Sequence, residues 1–572
     1  MRTIWHRSCT QSHDSRMEGP PVSYPTPARP QRHPRAVRTV TVGTTVLAAA
    51  LLLAALLLPN QLDQLGPKAF LRLPAEGIAL AAVLLVLPGR ARRVTAVAAG
   101  AGLGVLTLVK CLDMGFYSVL QRPFDLVLDW ILLDDAADYV RESFGRTSQV
   151  LTVAGAVLLV VAVLALSTLA MVRLADRMAE RRPPAGGTTL VLAVAWVTCA
   201  VFGLRVGGAP VASTLDAQLV HERLHAVRAG LRDARVFQQE AAVDSFAKTP
   251  PDRLLTGLRG KDVLITFVES YGRTAVEDPA MAPQVGAVLK EGGASLRAAG
   301  FEARSGWLRS PVIGAGSWMC HATLLSGLWI DNQQRYRNLV SGDRMTLAEY
   351  FRKTGAWSTV GIVPGVRTAW PEAGFFGLDR SYDSTHLGYH GPYFSWTPVP
   401  DQFTLQSFER LEYGKRNRRP IMAEIILASS HQPWAPLPRV IDWNGLGDGS
   451  VFGRIEKEGK DPAEVWKDNE RVRTEYRTSI EYSLHSLFGF MRRYAGKDTV
   501  LVFLGDHQPR PEVVAGSPRR DVPITIVAHD PKVLDRVAGW GWTPGLKPAG
   551  DAPIWAMNEF RDRFLTAFGP RV

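Results

Sequence analysis

Four side chains suited to metal or acid–base chemistry stand where short apolar runs end. Asp262–Val268 (DVLITFV) leads into Glu269-Ser270, Ile421–Leu427 (IMAEIIL) is followed by Ser429-Ser430-His431, and Thr499–Leu504 (TVLVFL) by Gly505-Asp506-His507. Two carboxylates and an imidazole drawn to one point make a divalent-cation site, and His431 is a second imidazole close by. Each residue alone is equally explained as a helix cap or a surface pair. Adjacent Asp and His after one run, with Glu after another, favours the ion. A nucleophile is available in Ser310–Gly327 (SPVIGAGSWMCHATLLSG), where Gly314 and Gly316 permit a tight turn and Ser317 opens a helix. A hydroxyl there meets the positive end of the helix dipole, and contact with a divalent cation would ease the loss of its proton near neutral pH. The alternative for Ser317 is an ordinary N-cap.

These residues can meet only if the apolar runs lie side by side. With Ser358–Val363 (STVGIV) and Pro523–Ala528 (PITIVA), the runs are nearly continuous in apolar character, which predicts strands buried on both faces. Met345–Thr354 and Tyr476–Tyr494 carry helical periodicity between them. The expected fold is α/β, a mainly parallel sheet covered by helices, whose strand carboxyl ends share the edge where ligands bind. Asp448–Lys467 reads as a charged insertion, either a solvated face or a pocket rim. Trp307, Trp318, Trp329, Trp357, Trp370, Trp396, Trp434 and Trp443 read mostly as core, with a lipid- or sugar-binding groove as the alternative.

Everything before residue 207 has another character. Of the 572 residues 46% are hydrophobic and 21% charged, which excludes a disordered or collagen-like chain. Stretches at about 39–59, 69–89, 94–116, 149–172 and 188–207 are long enough to span a bilayer. Within the net charge of +12, residues 1–38 hold seven Arg against Asp14 and Glu18 and further Arg clusters flank these stretches, a topology signal and not a nucleic-acid-binding face. Arg90, Arg92 and Arg93, then Arg173, Arg177, Arg181 and Arg182, alternate with acidic loops. This places the N-terminus in the cytoplasm and the rest of the chain beyond the last span outside. The expected organisation is a disordered basic tail over 1–38, a five-helix membrane domain over 39–207, a helical connector over 208–258 and an extracytoplasmic catalytic domain over 259–572. The connector reads equally as a membrane-surface helix or as a helix packed on the outer domain. Cys320 alone among the 4 cysteines lies in that domain, so no internal disulfide is expected there.

FVESYGR, GSWMCHATLLSG, SSHQPW and FLGDH, in that order, resemble the sulfatase-like branch of the alkaline phosphatase superfamily, and most closely its membrane-anchored lipoteichoic acid synthase and phosphoglycerol transferase type. The resemblance implies that Glu269, Ser317, Asp506 and His507 hold one divalent cation, Mn2+ first, with Mg2+, Ca2+ or Zn2+ as alternatives. It implies a substrate-pocket role for His431 in binding or proton transfer. A phosphate-gripping Arg is expected after the next strand, and Arg367 is the nearest candidate. In arylsulfatases the residue ten before the motif glycine becomes formylglycine; here that residue is Ser317, but Met319 and His321 replace the motif's Pro and Arg. The departure argues for direct attack by Ser317 on phosphorus. The expected partners are membrane lipids and a lipid-linked or envelope-polymer substrate, with no nucleic acid. Two rivals stand beside this reading: sulfate-ester hydrolysis on envelope glycans, and a catalytically inactive membrane-anchored sensor.

Overall fold

The computed structural model describes residues 34–120, 122–206, 208–367, 370–514 and 519–570. Most of the basic tail expected over 1–38 lies outside the described residues. The first half is helical: α1 (Pro34–Leu57), α2 (Ala75–Val86), α3 (Gly89–Leu120), α4 (Trp130–Phe144), α5 (Arg146–Glu180) and α6 (Arg182–Val201). Among the described residues four helices, within α1, α3, α5 and α6, are long and apolar enough to cross a membrane. The expected second span is instead the 12-residue α2, about 18 Å long against a hydrocarbon core of ~30 Å. Pro67 and Pro74 account for the shortening: Pro67 opens a separate 3-10 turn, and Pro74 stands extended at the N-cap of α2. Direction nevertheless alternates through all five. Lys110 near the end of α3 donates to Ala55 O near the end of α1 at 3.0 Å. Arg173 near the end of α5 donates to Thr41 O near the start of α1 at 3.1 Å. Leu73–Pro74, just before α2, pairs with Ala212–Ser213, just after α6.

The segment expected as a loop over Tyr117–Thr147 is mostly helix, since α3 runs on to Leu120 and α4 follows. The charges inside the third span also find partners. Lys110 pairs with Asp216 at 2.5 Å, and Asp113 with Arg223, both partners lying on the connector helix α7 (Leu215–Ala242). The other half of α7 packs on the second domain, where Phe237 is buried in the core and Asp233 pairs with Arg335. The connector helix thus bridges the two halves of the chain, its first half paired with α3 and its second packed on the α/β domain.

The α/β domain is built on a nine-stranded sheet. Its strands are β1 (Asp262–Val268), β2 (Glu302–Arg309), β3 (Ser358–Val363), β4 (Arg380–Asp383), β5 (Ile421–Leu427), β6 (Thr499–Gly505), β7 (Asp521–Ala528), β8 (Thr543–Pro544) and β9 (Ile554–Ala556). The order is β8-β2-β7-β6-β1-β5-β3-β4, with β9 also on β2. β6, β1, β5, β3 and β4 are mutually parallel. β7 is antiparallel to both β6 and β2, so β2 again points with the parallel set. Alternate residues of β1 explain its unbroken apolar run. Leu264 and Val268 face one core with α8 (Ala282–Ala298) and α10 (Asn469–Tyr494). Val263, Ile265 and Phe267 face the other, with α9 (Ser317–Ser326) and the helix Glu559–Ala567. Strands covered on both faces have no polar side to show.

Candidate active site

The carboxyl ends of β1, β5, β6 and β2 lie on one edge of the sheet, and each delivers part of the site. β1 ends at Glu269, followed by Ser270 in the left-handed region at φ 55. That turn aims the Ser270 N–H at Asp506 Oδ1, 2.8 Å away, while the Ser270 hydroxyl donates to Glu269 Oε1 at 2.8 Å. The His507 N–H also donates to Asp506 Oδ1, at 2.7 Å. One oxygen of Asp506 is thus fixed by two backbone donors, leaving Oδ2 to face the site. Glycine is required where β6 meets this turn: a Cβ on Gly505 would lie 1.8 Å from Tyr271 O.

After β2 the chain passes through a turn to α9. The N-cap is Gly316, left-handed at φ 89, so Ser317 is the first helical residue and its hydroxyl makes no cap bond. Ser317 Oγ instead donates to Glu269 Oε2 at 2.9 Å and lies 3.2 Å from His507 Nε2. His507 Nδ1 donates to Gln508 O at 2.8 Å, which leaves its Nε2 lone pair facing the serine and the carboxylates. Ligand atoms of Glu269, Asp506 and His507 all lie within 4.8 Å of one another, and all three residues are buried.

Electrostatics point to a positive charge in this cluster. Burial opposes ionisation of Glu269, but positive charge placed at His507 and His431, together with hydrogen bonds from Asp506 and the Ser270 hydroxyl, outweighs it and holds the carboxyl down at about 2. Burial, and then the Glu269 charge, push Asp506 well above the carboxylate range. Asp506 Oδ2 has no hydrogen-bond partner among the described residues although it is buried. Two buried carboxyl groups in conflict, an orphaned oxygen and an imidazole lone pair fit a divalent cation, with Ser317 Oγ as a further oxygen donor.

The cluster opens into a cavity of about 1090 Å³. His431 lies on its wall, its Nδ1 donating to Gln432 O at 2.6 Å so that Nε2 is left for the cavity. Burial lowers the His431 pKa. Arg367 also lines the cavity, its guanidinium 4.8 Å above the Tyr393 ring. Of the six expected site residues, Glu269, Ser317, His431 and Arg367 line the cavity, while Asp506 and His507 stand behind them, Asp506 accepting from the Ser270 N–H and His507 Nε2 3.2 Å from Ser317 Oγ. The insertion around 448–467 forms part of the rim, since Pro462, Ala463 and Trp466 line the cavity while Phe452 and Ile455 anchor the segment in the core. Trp307 and Trp357 are buried away from the cavity, Trp434 is buried in its wall, and Trp318, Trp370 and Trp396 also line it.

Two residues of this wall, His321 and Arg510, were not expected in the site, and a third, Trp396, was expected only as core or as groove lining. Trp396 stacks on His431, Arg510 donates to Gln432 Oε1 at 3.0 Å, and His321 lies one helical turn beyond Ser317. Only Arg510 carried a readable signal, three positions after the Asp-His pair. The membrane half contributes too, because Ser118, Val119 and Leu120 at the end of α3 close one side of the cavity.

No family model and no curated protein matches this chain. Among solved structures it is similar to the lipoteichoic acid synthase LtaP from Listeria monocytogenes, at 14% identity over 59% of this chain and 78% of that one, with a TM-score of 0.36. It is similar to an alkaline phosphatase superfamily protein from Vibrio parahaemolyticus, at 14% identity over 59% and 74%, with a TM-score of 0.37. A third is the Streptococcus pyogenes phosphoglycerol transferase GacH in complex with sn-glycerol-1-phosphate, at 12% identity over 59% and 91%, with a TM-score of 0.34.

Proposed function

We propose that this chain is a membrane-anchored, metal-dependent enzyme that transfers or hydrolyses phosphodiester headgroups of lipid or cell-envelope substrates through a phospho-Ser317 intermediate. The observation that carries this reading is the Ser317 hydroxyl, uncommitted to helix capping and 2.9 Å from Glu269 within the Glu269–Asp506–His507 cluster. The alternating helices support an N-terminus in the cytoplasm and an α/β domain outside, with the cavity mouth near the bilayer.

Glu269, Asp506, His507 and Ser317 would hold a divalent cation, which supplies Lewis-acid activation of the hydroxyl and neutralises charge on phosphate oxygens. Ser317 Oγ forms the bond to phosphorus as the bond to the departing alcohol breaks, and Glu269 Oε2 stands ready to receive the serine proton. Arg367 holds phosphate oxygens through paired charged hydrogen bonds, acting where charge spreads in the transition state. His431 gives a proton to the departing alcohol and takes one back from the water or alcohol that next attacks phosphorus and frees Ser317. Because burial lowers its pKa, only the protonated minority of His431 is ready for the first step at neutral pH, and the neutral form it leaves is the base for the second.

The test uses the full chain in lipid nanodiscs with fluorescent phosphatidylglycerol, with Mn2+ or with EDTA, and with sulfated glycans in a parallel arm. Metal-dependent headgroup release and a phosphoglycerol adduct on Ser317 by peptide mass are expected. Full activity in Ser317→Ala, or turnover of sulfate esters alone, would overturn the reading.

A further inference from the structure

His321 is buried in the wall of the catalytic cavity, and its Nε2 has no hydrogen-bond partner among the described residues. Its ring packs against Phe267, centroids 4.1 Å apart, so its plane is fixed by the sheet. Nε2 lies 3.9 Å from Asp506 Oδ2, another buried atom of the site without a hydrogen-bond partner among the described residues. His507 Nε2 stands at the same 3.9 Å from that oxygen. Asp506 Oδ2 therefore sits between two imidazole nitrogens, too far from either for a hydrogen bond. Leaving such atoms unmatched in the interior is unfavourable, because their lost hydration is not replaced. Donors bound to one ion at ~2.0–2.2 Å stand about 3–4 Å apart, and both imidazole nitrogens stand at that spacing from Asp506 Oδ2. Ser317 and His321 are also separated by four residues on α9, the spacing that turns two side chains to one face of a helix toward a shared ion.

We propose that His321 is a further protein ligand of the active-site cation, giving it two imidazole nitrogens beside the carboxylates of Glu269 and Asp506. This rests on the cation reading of the Glu269–Asp506–His507 cluster. The chain then has a donor set suited to Mn2+ or Zn2+ above Mg2+ or Ca2+, whose preferred ligands are oxygens alone. It also gives a use to the position where the formylglycine motif has arginine: one turn below the nucleophile this chain carries a metal donor.

The test counts nitrogens on the ion and does not depend on turnover. Full-length protein labelled with 15N-histidine is loaded with Mn2+ and examined by electron–nuclear double resonance, and Mn2+ affinity is measured by calorimetry. The wild type should show two imidazole couplings. His321→Gln should show one, with Mn2+ affinity falling at least about tenfold. His507→Gln should likewise retain one coupling, from His321. A single coupling in the wild type overturns the proposal even where the variants fail to fold, and so does unchanged affinity in a folded His321→Gln. Mn2+ bound through one imidazole in an active enzyme would sink this assignment and leave the proposed function standing. A wild type that binds no Mn2+ would sink both.

Discussion

Trp396 lies against the face of His431, with ring centroids 3.9 Å apart and planes inclined by 19°. The indole is 43% exposed, so the cavity side of the pair is open while the stack fixes the imidazole plane. Nδ1 is already committed to Gln432 O, and the tryptophan restrains the remaining freedom of the ring. Aromatic pairs of this kind contribute about 0.5–1.5 kcal/mol. Trp396→Ala should therefore lower kcat/KM for headgroup release by about 2- to 12-fold. Trp396→Phe should recover most of the loss. Steady-state kinetics on the two variants check this; equal losses in both would mean that stacking is not the cause.

Asp506 and Glu269 make the metal-free site a place of stored repulsion. Mn2+ at about 100 times its Kd should stabilise the wild type by ~2.7 kcal/mol, read as a higher Tm than in EDTA. Asp506→Asn removes the carboxyl that burial and the Glu269 charge hold above its usual range, so the metal-free variant should melt above the metal-free wild type. Its Tm should be indifferent to Mn2+. Differential scanning calorimetry with and without EDTA measures both effects.

Asp113 links the membrane half to the site. It is fully buried, pairs with Arg223 of the connector helix and accepts the Phe124 N–H at 2.9 Å. Removing one partner of a buried pair costs about 3–5 kcal/mol, because the other charge is left uncompensated. Asp113→Ala should lower the Tm in nanodiscs and, since the end of α3 closes one side of the cavity, raise KM more than it lowers kcat. An unchanged KM would separate the membrane helices from substrate binding.

The parts of the fold that could be read from sequence are those with one physical determinant. Strands β1, β3, β5 and β6 are covered on both faces, so an unbroken apolar run was sufficient, and their carboxyl ends placed Glu269, His431, Asp506 and His507 on one edge. β2 (EARSGWLR) escaped because its exposed ends, Glu302 and Arg309, and the half-buried Arg304 interrupt its apolar signal. β7 was legible as a strand but not as antiparallel, since orientation depends on its neighbours β6 and β2. The short α2 was read as a full span because hydropathy averages across Pro74. His321 as a site residue, and Trp396 as the partner of His431, were illegible for a different reason. Their importance comes from contacts with Asp506 and His431, far away along the chain, which no local pattern records.

Glu424 offers the sharpest dependence on pH. It lies in β5 between Ile265 of β1 and Gly361 of β3, fully buried, and neither carboxyl oxygen has a partner among the described residues. Burial pushes its pKa up to about 8. In the unfolded chain the same carboxyl ionises near its ordinary value, about 4.3. Between those two values the folded state holds the proton and the unfolded state does not, so stability falls as pH rises through that window and levels off above it. At 1.36 kcal/mol per unit the loss approaches ~5 kcal/mol by pH 8. Glu424→Gln keeps the volume and carries no ionisable group. It should match the wild type near pH 4 and exceed it progressively up to pH 8, in denaturant titrations followed by tryptophan fluorescence. A constant difference between the two proteins across that range would mean that Glu424 does not enter the fold as the neutral acid.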